Sequence, residues 1–435
     1  MNGILNQTLT TENGRACRVK TLLGSGGQGE VYQVEVEGRD YALKWYFTES
    51  ATAQQYAALQ ELVQIGPPTN RFLWPLELVR DQSSGRFGYL MPLREARFKS
   101  LNDLMKRRAE PTFKSLCRAG FQLADSYLQL HAKGLCYRDI SFGNVFFDPS
   151  NGEVLICDND NVGITGQSPS GVLGTPRFMA PEVVRGEAEP STDTDLYSLA
   201  VLLFYMFMLH HPLEGKREYE IKCFDLPAMR KLYGDEPLFI FDPQDDSNRP
   251  VPHYQQNPII YWQIYPQFLR DLFTRAFTDG IRDPKNGRVR ESEWRMAFVQ
   301  LGDSIIYCPA CGAENFYDSE RVKNAKPIVC WNCNRGVPLP MRLRLDGNVI
   351  MLNHDTKIYP HHLGTLYDFS KPVAEVAQNP NNPAQWGLRN LSEKLWTATF
   401  SDGRMVEVQP GKAVSLSDQM KVNFGGKEGE IRLGG

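Results

Sequence analysis

The sequence has no long apolar run. Its longest near-apolar stretch, SLAVLLFYMFML at 198–209, falls short of the roughly 17–25 residues that a membrane-spanning helix needs, so it is expected to be a buried core helix. The first residues, MNGILNQTLTTENG, carry neither a basic n-region nor an apolar h-region. Nothing marks them for export, and the cytoplasm is the expected location. A one-sided charge is also lacking: 48 Lys and Arg face 51 Asp and Glu, a net charge of -3. That balance provides no global basic field and argues against bulk nucleic-acid binding. No internal repeat or low-complexity tract is visible. Nine cysteines is an odd number, and Cys17, Cys117, Cys136, Cys157 and Cys223 are scattered among apolar neighbours, which reads as buried free thiols rather than a disulfide framework.

With 435 residues, 42% of them hydrophobic, the chain can bury sizeable cores, and two or three domains are expected. Up to about residue 92 the stretches CRVKTLL, EVYQVEV, RDYALKWYF and GRFGYLMPL alternate with period two, which predicts a small, mostly antiparallel sheet. One helical stretch, SATAQQYAALQELVQIG, interrupts it. From about 100 to 300 helical patterns dominate, as in SLCRAGFQLADSYLQLHAKG, TDTDLYSLAVLLFYMFML, PQFLRDLFTRAFTDG and ESEWRMAFVQLGD. Residues 216–258 are rich in proline and acidic residues without clear period, and are expected to be an ordered insertion or a surface loop. From about 341 onward, short strands alternate with DG, PG, SD and GG turns.

Chemistry enters at GSGGQGEV, residues 24–31. These glycines join two predicted strands rather than opening a helix, the setting of a flap folded over phosphates. Gly24, Gly26 and Gly29 would allow close backbone approach. In the next strand the two-residue period puts Ala42 and Lys44 on one face. Ala42 leaves room for a flat base, and Lys44 can reach phosphates. A carboxylate is needed to orient that ammonium, and Glu61 on the intervening helix is the best candidate.

Together, Gly24 to Val31, Lys44, YRDISFGN at 137–144, CDND at 157–160 and GTPRFMAPE at 174–182 resemble the ordered motif set of eukaryotic-like Ser/Thr protein kinases. The resemblance covers about residues 15–300 and implies an α+β bilobal fold with ATP between the lobes, the N-lobe at about 1–92 and the C-lobe at 93–300. It implies Asp139 as the residue that accepts or orients the proton of the attacking hydroxyl, Asn144 and Asp158 as magnesium ligands, and Arg138 as a brace of the catalytic loop. Met91 is implied as gatekeeper, with the Pro92 carbonyl facing adenine and Thr175 near the acceptor site. A Glu182–Arg288 pair is implied as architecture. Two departures stand out. Ser141 occupies the place of the usual lysine, which neutralises the transferred phosphoryl group. D-N-D replaces D-F-G, so Asp158 or Asp160 could reach the metal, with spacing from Asn144 favouring Asp158. An ATP-binding pseudokinase scaffold is the alternative to an active enzyme, although Lys44, Asp139, Asn144 and Asp158 are all present.

The four remaining cysteines, Cys308, Cys311, Cys330 and Cys333, form C-x2-C-x18-C-x2-C, the spacing of two knuckles that converge on a structural zinc ion. A redox dithiol is the competing reading. Arg321, Lys323 and Lys326 between the knuckles read as a solvated face rather than a nucleic-acid patch. A zinc ribbon is therefore expected at 301–340. Residues 341–435 resemble a forkhead-associated (FHA) β-sandwich in their C-terminal half, NLSEKLWTATFSDGRMVEVQPGKAVSLSDQMKVNFG. The phosphothreonine-reading loop of such domains is not visible, which points to an interaction or autoregulatory module. Taken together, these parts resemble bacterial kinases of tellurite-resistance-associated TerY-P-type triads, which suggests protein substrates, a PP2C-type phosphatase and a von Willebrand factor A protein as partners.

Overall fold

The computed structural model describes residues 4–81, 84–165, 174–365 and 367–433. The chain divides into two compact units, one of Met1–Trp262 with Asp271–Met296, the other of Gln263–Arg270 with Ala297–Gly435.

In the first unit, six strands close into an antiparallel barrel in the order Thr8–Thr11, Ala16–Ser25, Gly29–Val36, Arg39–Tyr46, Phe87–Pro92, Glu77–Arg80. The sequence pattern predicts a small antiparallel sheet without indicating whether it closes. Closure comes from Thr8–Thr11, too short to show a period, which pairs with Ala16–Ser25 on one side and Glu77–Arg80 on the other. Alternate residues of these strands, among them Val19, Val34, Leu43 and Leu90, fill the interior, as the two-residue period requires. The helix Ala53–Ile65 starts where the Thr52 hydroxyl accepts from the Gln55 N–H and stops at Gly66, φ 69°, a cap conformation that suits glycine.

The helical part of this unit is organised around Thr192–Met208, capped by a reciprocal Ser191–Thr194 box and buried at every position from Thr194 to Met208. A helix apolar on all sides belongs inside a core, and no helix among the described residues is long and apolar enough to cross a membrane. Residues 216–258 are ordered around Asn248, which is fully buried. Its amide donates to the Leu213 and Leu238 carbonyls. Gly215 lies so close that a β-carbon there would meet the Asn248 carbonyl oxygen at 1.9 Å. Of the scattered thiols, Cys17, Cys117 and Cys136 are buried, Cys157 is half-buried and Cys223 is exposed; the expectation of burial fails for Cys223, which lies beside the exposed Lys222 while Phe224 turns toward the core.

The second unit carries the hairpin Ile305–Tyr307 with Glu314–Phe316, the cysteine turns and two antiparallel sheets. The larger sheet orders Asn348–Met351, Arg342–Leu345, Glu428–Arg432, Lys421–Asn423, Trp396–Thr399 and Met405–Val408; the smaller orders Lys357–Ile358, Ala374–Asn379, Asn382–Asn390 and Ala413–Ser415. Leu343, Ile350, Val422 and Ile431 from one sheet share a core with Ile358, Val376, Leu388 and Val414 from the other, the face-to-face packing of a β-sandwich.

Candidate active site and cysteine cluster

The glycine-rich segment is the turn between Ala16–Ser25 and Gly29–Val36, closed by a Gly26 N–H to Gly29 carbonyl bond of 2.9 Å. A β-carbon on Gly24 or Gly26 would meet nothing within 4 Å, so both backbones face open space. Gly29 is different: a β-carbon there would lie 2.3 Å from the Trp45 carbonyl oxygen. Its glycine is required by the neighbouring strand, a reason that a phosphate-loop reading does not contain. Antiparallel register sets Val31 opposite Lys44, Ala42 opposite Met91, Tyr41 opposite Pro92 and Lys44 opposite Tyr89. Val31, Ala42 and Met91 belong to one apolar cluster that also holds Cys157.

Lys44 is only 6% exposed. Its ammonium donates to Asp158 Oδ1 at 2.5 Å and to both oxygens of Asp160 at 2.7 and 2.9 Å. Burial opposes the charge, but the two carboxylates outweigh it and raise the Lys44 pKa. Asp160 also accepts from the hydroxyls of Tyr46 and Tyr89. Its side chain is fully enclosed, whereas that of Asp158 keeps 37% exposure. Burial and the Asp160 charge push the Asp158 carboxyl up, while Asp160 itself is held down by Lys44 against the cost of burial.

The expected Glu61–Lys44 partnership is not formed: Glu61 is exposed, and the ammonium is taken by Asp158 and Asp160. Gln55 turns toward the cleft, donating to the Tyr46 hydroxyl at 3.1 Å and the Asp160 carbonyl at 3.4 Å. Glu61 lines the same cavity as Gln55, Tyr46 and Asp160, but the ammonium is already satisfied by the two aspartates.

In the 137–144 loop, Asp139 Oδ1 accepts from the Thr175 hydroxyl at 2.7 Å and Oδ2 from the Asn144 amide at 3.2 Å. That amide also donates to the Asp139 carbonyl at 2.8 Å. The Asn144 carbonyl accepts from the Cys157 N–H at 2.8 Å, which ties this loop to the turn bearing Asp158. Ser141 and Asn144 are nearly buried. Arg138 adopts φ 73°, an uncommon conformation for a residue with a β-carbon.

What holds that backbone is Asp195, which motif reasoning passes over. Its oxygens accept from the Tyr137 N–H at 2.5 Å and the Arg138 N–H at 3.0 Å. His131 bridges Asp195, at 3.1 Å, and Glu291. Burial disfavours the imidazolium, yet the two carboxylates raise the His131 pKa to about 9. The available signal was an acidic residue at the entry of an otherwise apolar helix. The expected Glu182–Arg288 pair is present at 2.6 Å, with Arg288 also donating to the Asp193 carbonyl.

The four cysteines converge, their Sγ atoms all within 4.8 Å of one another. Cys308 and Cys333 are 3.6 Å apart, and Cys311 and Cys330 3.7 Å. Two turns of one form produce this. The Gly312 N–H donates to the Cys308 carbonyl and the Asn334 N–H to the Cys330 carbonyl, with Gly312 at φ 74° and Asn334 at φ 58°. Burial resists ionisation of the Cys330 thiol, but the Cys333 and Asn332 N–H groups and the Asn315 amide bring it down to about 6. Four sulfurs around a zinc ion at about 2.3 Å would lie about 3.8 Å apart, so the cluster fits a tetrahedral thiolate site.

A second group, Asp303 with His361 and His362, does not make such a site. The Tyr359 N–H donates to His362 Nδ1 at 2.9 Å, leaving the proton on Nε2, which faces Asp303 at 3.1 Å. No lone pair of His362 remains for a metal. His361 is pushed down to about 3 by burial and by His362.

A family model described as "Protein kinase domain" matches residues 17–257, just over half of the chain. Among curated proteins, a probable serine/threonine-protein kinase CCRP1 of Zea mays is 31% identical over 119 residues, covering 27% of this chain and 19% of that one. The DNA damage-responsive serine/threonine-protein kinase RqkA of Deinococcus radiodurans is 28% identical over 208 residues, 46% of this chain and 31% of that one. Protein kinase C delta type of Mus musculus is 28% identical over 215 residues, 46% of this chain and 30% of that one. The chain thus spans less than a third of the length of each of these relatives.

Proposed function

The chain belongs to the protein kinase family, and from that premise we propose that it transfers the γ-phosphoryl group of ATP to serine or threonine hydroxyls of proteins. The observation that carries the reading is Asp139, whose Oδ1 receives a threonine hydroxyl proton donor at 2.7 Å, the contact an acceptor hydroxyl would make. Members of this family use ATP and Mg2+. The donor set fits them. Gly24 and Gly26 offer bare backbone, Lys44 a buried ammonium, and Asp158 a half-open carboxylate raised by burial and by a like charge, a setting that favours a cation. Asn144 and Asp158 would hold the metal, whose charge would offset that developing on the phosphoryl oxygens. Asp139 orients the acceptor hydroxyl and takes its proton at Oδ1; Asn144 fixes the Asp139 carboxylate; Lys44 positions phosphates; Ala42, Val31, Met91 and the Pro92 carbonyl line the base.

The cysteine cluster supports a structural zinc site formed by Cys308, Cys311, Cys330 and Cys333, with all four positions filled by protein and none left for catalysis. The β-sandwich supports an interaction or regulatory module, FHA-like by sequence, that binds no phosphothreonine peptide tightly. The phosphatase and von Willebrand factor A partners rest on sequence resemblance alone.

The deciding experiment is transfer of radiolabel from ATP to the protein itself or a generic substrate, with Asp139→Ala as control. Label should fall by about 10²–10⁴ in the variant while ATP affinity stays within a few fold. Wild-type protein that binds Mg-ATP and transfers nothing would indicate a scaffold.

A further inference from the structure

The two carboxylates on Lys44 are held in different ways. Asp158 is half-open to solvent and, among the described residues, accepts only from Lys44. Asp160 is fully enclosed, presents both oxygens to Lys44, and is fastened by the hydroxyls of Tyr46 and Tyr89. The turn between them is anchored as well. Asn159 is fully buried, and its amide donates to the Leu73 and Ile156 carbonyls at 2.9 and 3.0 Å. The helix that bears Glu61 is joined to this cluster through Gln55.

We propose that Asp160 is a positioning residue, the resident counter-ion of Lys44, in the role that the sequence pattern assigns to Glu61. The inference rests on the kinase reading above and goes beyond it. A carboxylate that turns to a metal gives up part of its contact with the lysine, and Asp158 is the one exposed enough to turn away. Asp160 stays, because two hydroxyls and an enclosing core hold it. A buried ammonium needs such a partner in every state of the cleft. The third position of D-N-D supplies it, where a D-F-G glycine has no side chain to do so.

The test compares Asp160→Asn, Glu61→Gln and Tyr89→Phe in the full chain, reading kcat and KM for ATP, calorimetric affinity for the magnesium complex of a non-hydrolysable ATP analogue, and melting temperature without nucleotide. Asp160→Asn should lower kcat/KM for ATP at least 30-fold and weaken analogue binding at least fivefold, with KM for the protein substrate unmoved. Glu61→Gln should cost at least tenfold less than that in kcat/KM. Tyr89→Phe separates positioning from mere support: it removes one bond to the same carboxylate and should lower the melting temperature while keeping most of kcat. The inference is overturned if Glu61→Gln costs as much as Asp160→Asn, or if activity in Asp160→Asn and Tyr89→Phe falls only in step with melting temperature. Should the wild type transfer no phosphate, the kinase reading fails, and analogue binding alone decides the role of Asp160: unchanged affinity in Asp160→Asn would refute it.

Discussion

From Cys308 to Cys333, 25 positions apart, two turns of the same form bring four thiols together; in the catalytic cleft the ammonium of Lys44 meets carboxylates 114 and 116 positions away. The first assembly is local and has little core of its own. The buried residues of its apolar cluster are Ile306, Cys308, Ile328, Cys330, Val337 and Met351, two of them from the cysteine cluster itself. The second is dispersed, and it is held by a closed barrel, a helix buried from Thr194 to Met208 and polar anchors such as Asp195 and Asn159. With zinc bound as proposed, the local site would depend on its ion for structure, while the dispersed site depends on the core around it.

Metal removal is the sharpest way to separate the two. Structural zinc sites contribute an apparent ~10–16 kcal/mol of binding free energy to folding, far more than the ~3–5 kcal/mol lost on breaking one buried ion pair. Protein purified without chelator should contain one zinc per chain by elemental analysis. Strong chelation, or Cys308→Ser, should make residues 305–337 open to protease and hydrogen exchange while Mg-ATP affinity changes less than about threefold. Protein that contains no zinc would remove this half of the comparison.

The two units should also respond to pH in opposite directions. In the first, His131 is raised from 6.5 to about 9 by Asp195 and Glu291 in spite of burial. A raised pKa gives stability that is fully present below the unfolded value and lost as pH rises through the folded one. The shift corresponds to about 3 kcal/mol, lost between pH 6.5 and 9. His131→Gln should flatten that part of the melting-temperature profile. In the second unit burial holds His361 down at about 3, so its contribution is present above pH 6.5 and is lost as pH falls toward 3. A first transition that is level from pH 6.5 to 9 would show that His131 does not carry a proton in the folded state.

The same contrast governs what could be read in advance. The thiol cluster was legible because ligand spacing along the chain is also its geometry: two residues between cysteines is one turn. The order of kinase motifs was legible for a related reason, since each motif is a short run around one backbone feature. The choice of partner was not. Nothing in the spacing distinguishes Glu61 from Asp160 as the neighbour of Lys44, because both line one cavity and only the folded chain shows which carboxylate reaches the ammonium. Asp195 escaped because an aspartate in a first helical turn is ordinarily an end-charge, and only the fold reveals that the Tyr137 and Arg138 amides converge on it. The strand Thr8–Thr11 was missed as too short to show alternation. The strand-packing role of Gly29 is not legible, since close strand approach and close ligand approach leave the same residue type in the sequence.

The smallest expected effect concerns Ser141, where the dispersed site departs furthest from its family pattern. The side chain lies two residues from Asp139 and is 7% exposed, yet a β-carbon on Gly143 would come no nearer than 4.0 Å to its hydroxyl oxygen, so the loop has slack on that side. Positioning and metal charge supply most of phosphoryl-transfer catalysis, and in the proposed roles Lys44, Asp139, Asn144 and Asp158 would provide for both without a second lysine. Ser141→Lys should therefore raise kcat by up to about tenfold, equivalent to about 1.4 kcal/mol of barrier, by adding a cation near the transferred group. KM for ATP should hold, because the substitution leaves Lys44, the proposed phosphate contact, in place. The melting temperature should fall slightly, since a longer stem must leave a nearly buried position. A loss of more than tenfold in kcat at unchanged melting temperature would mean that the Ser141 hydroxyl itself acts in transfer, and that this cleft does not place its charges as the lysine-bearing kinases do.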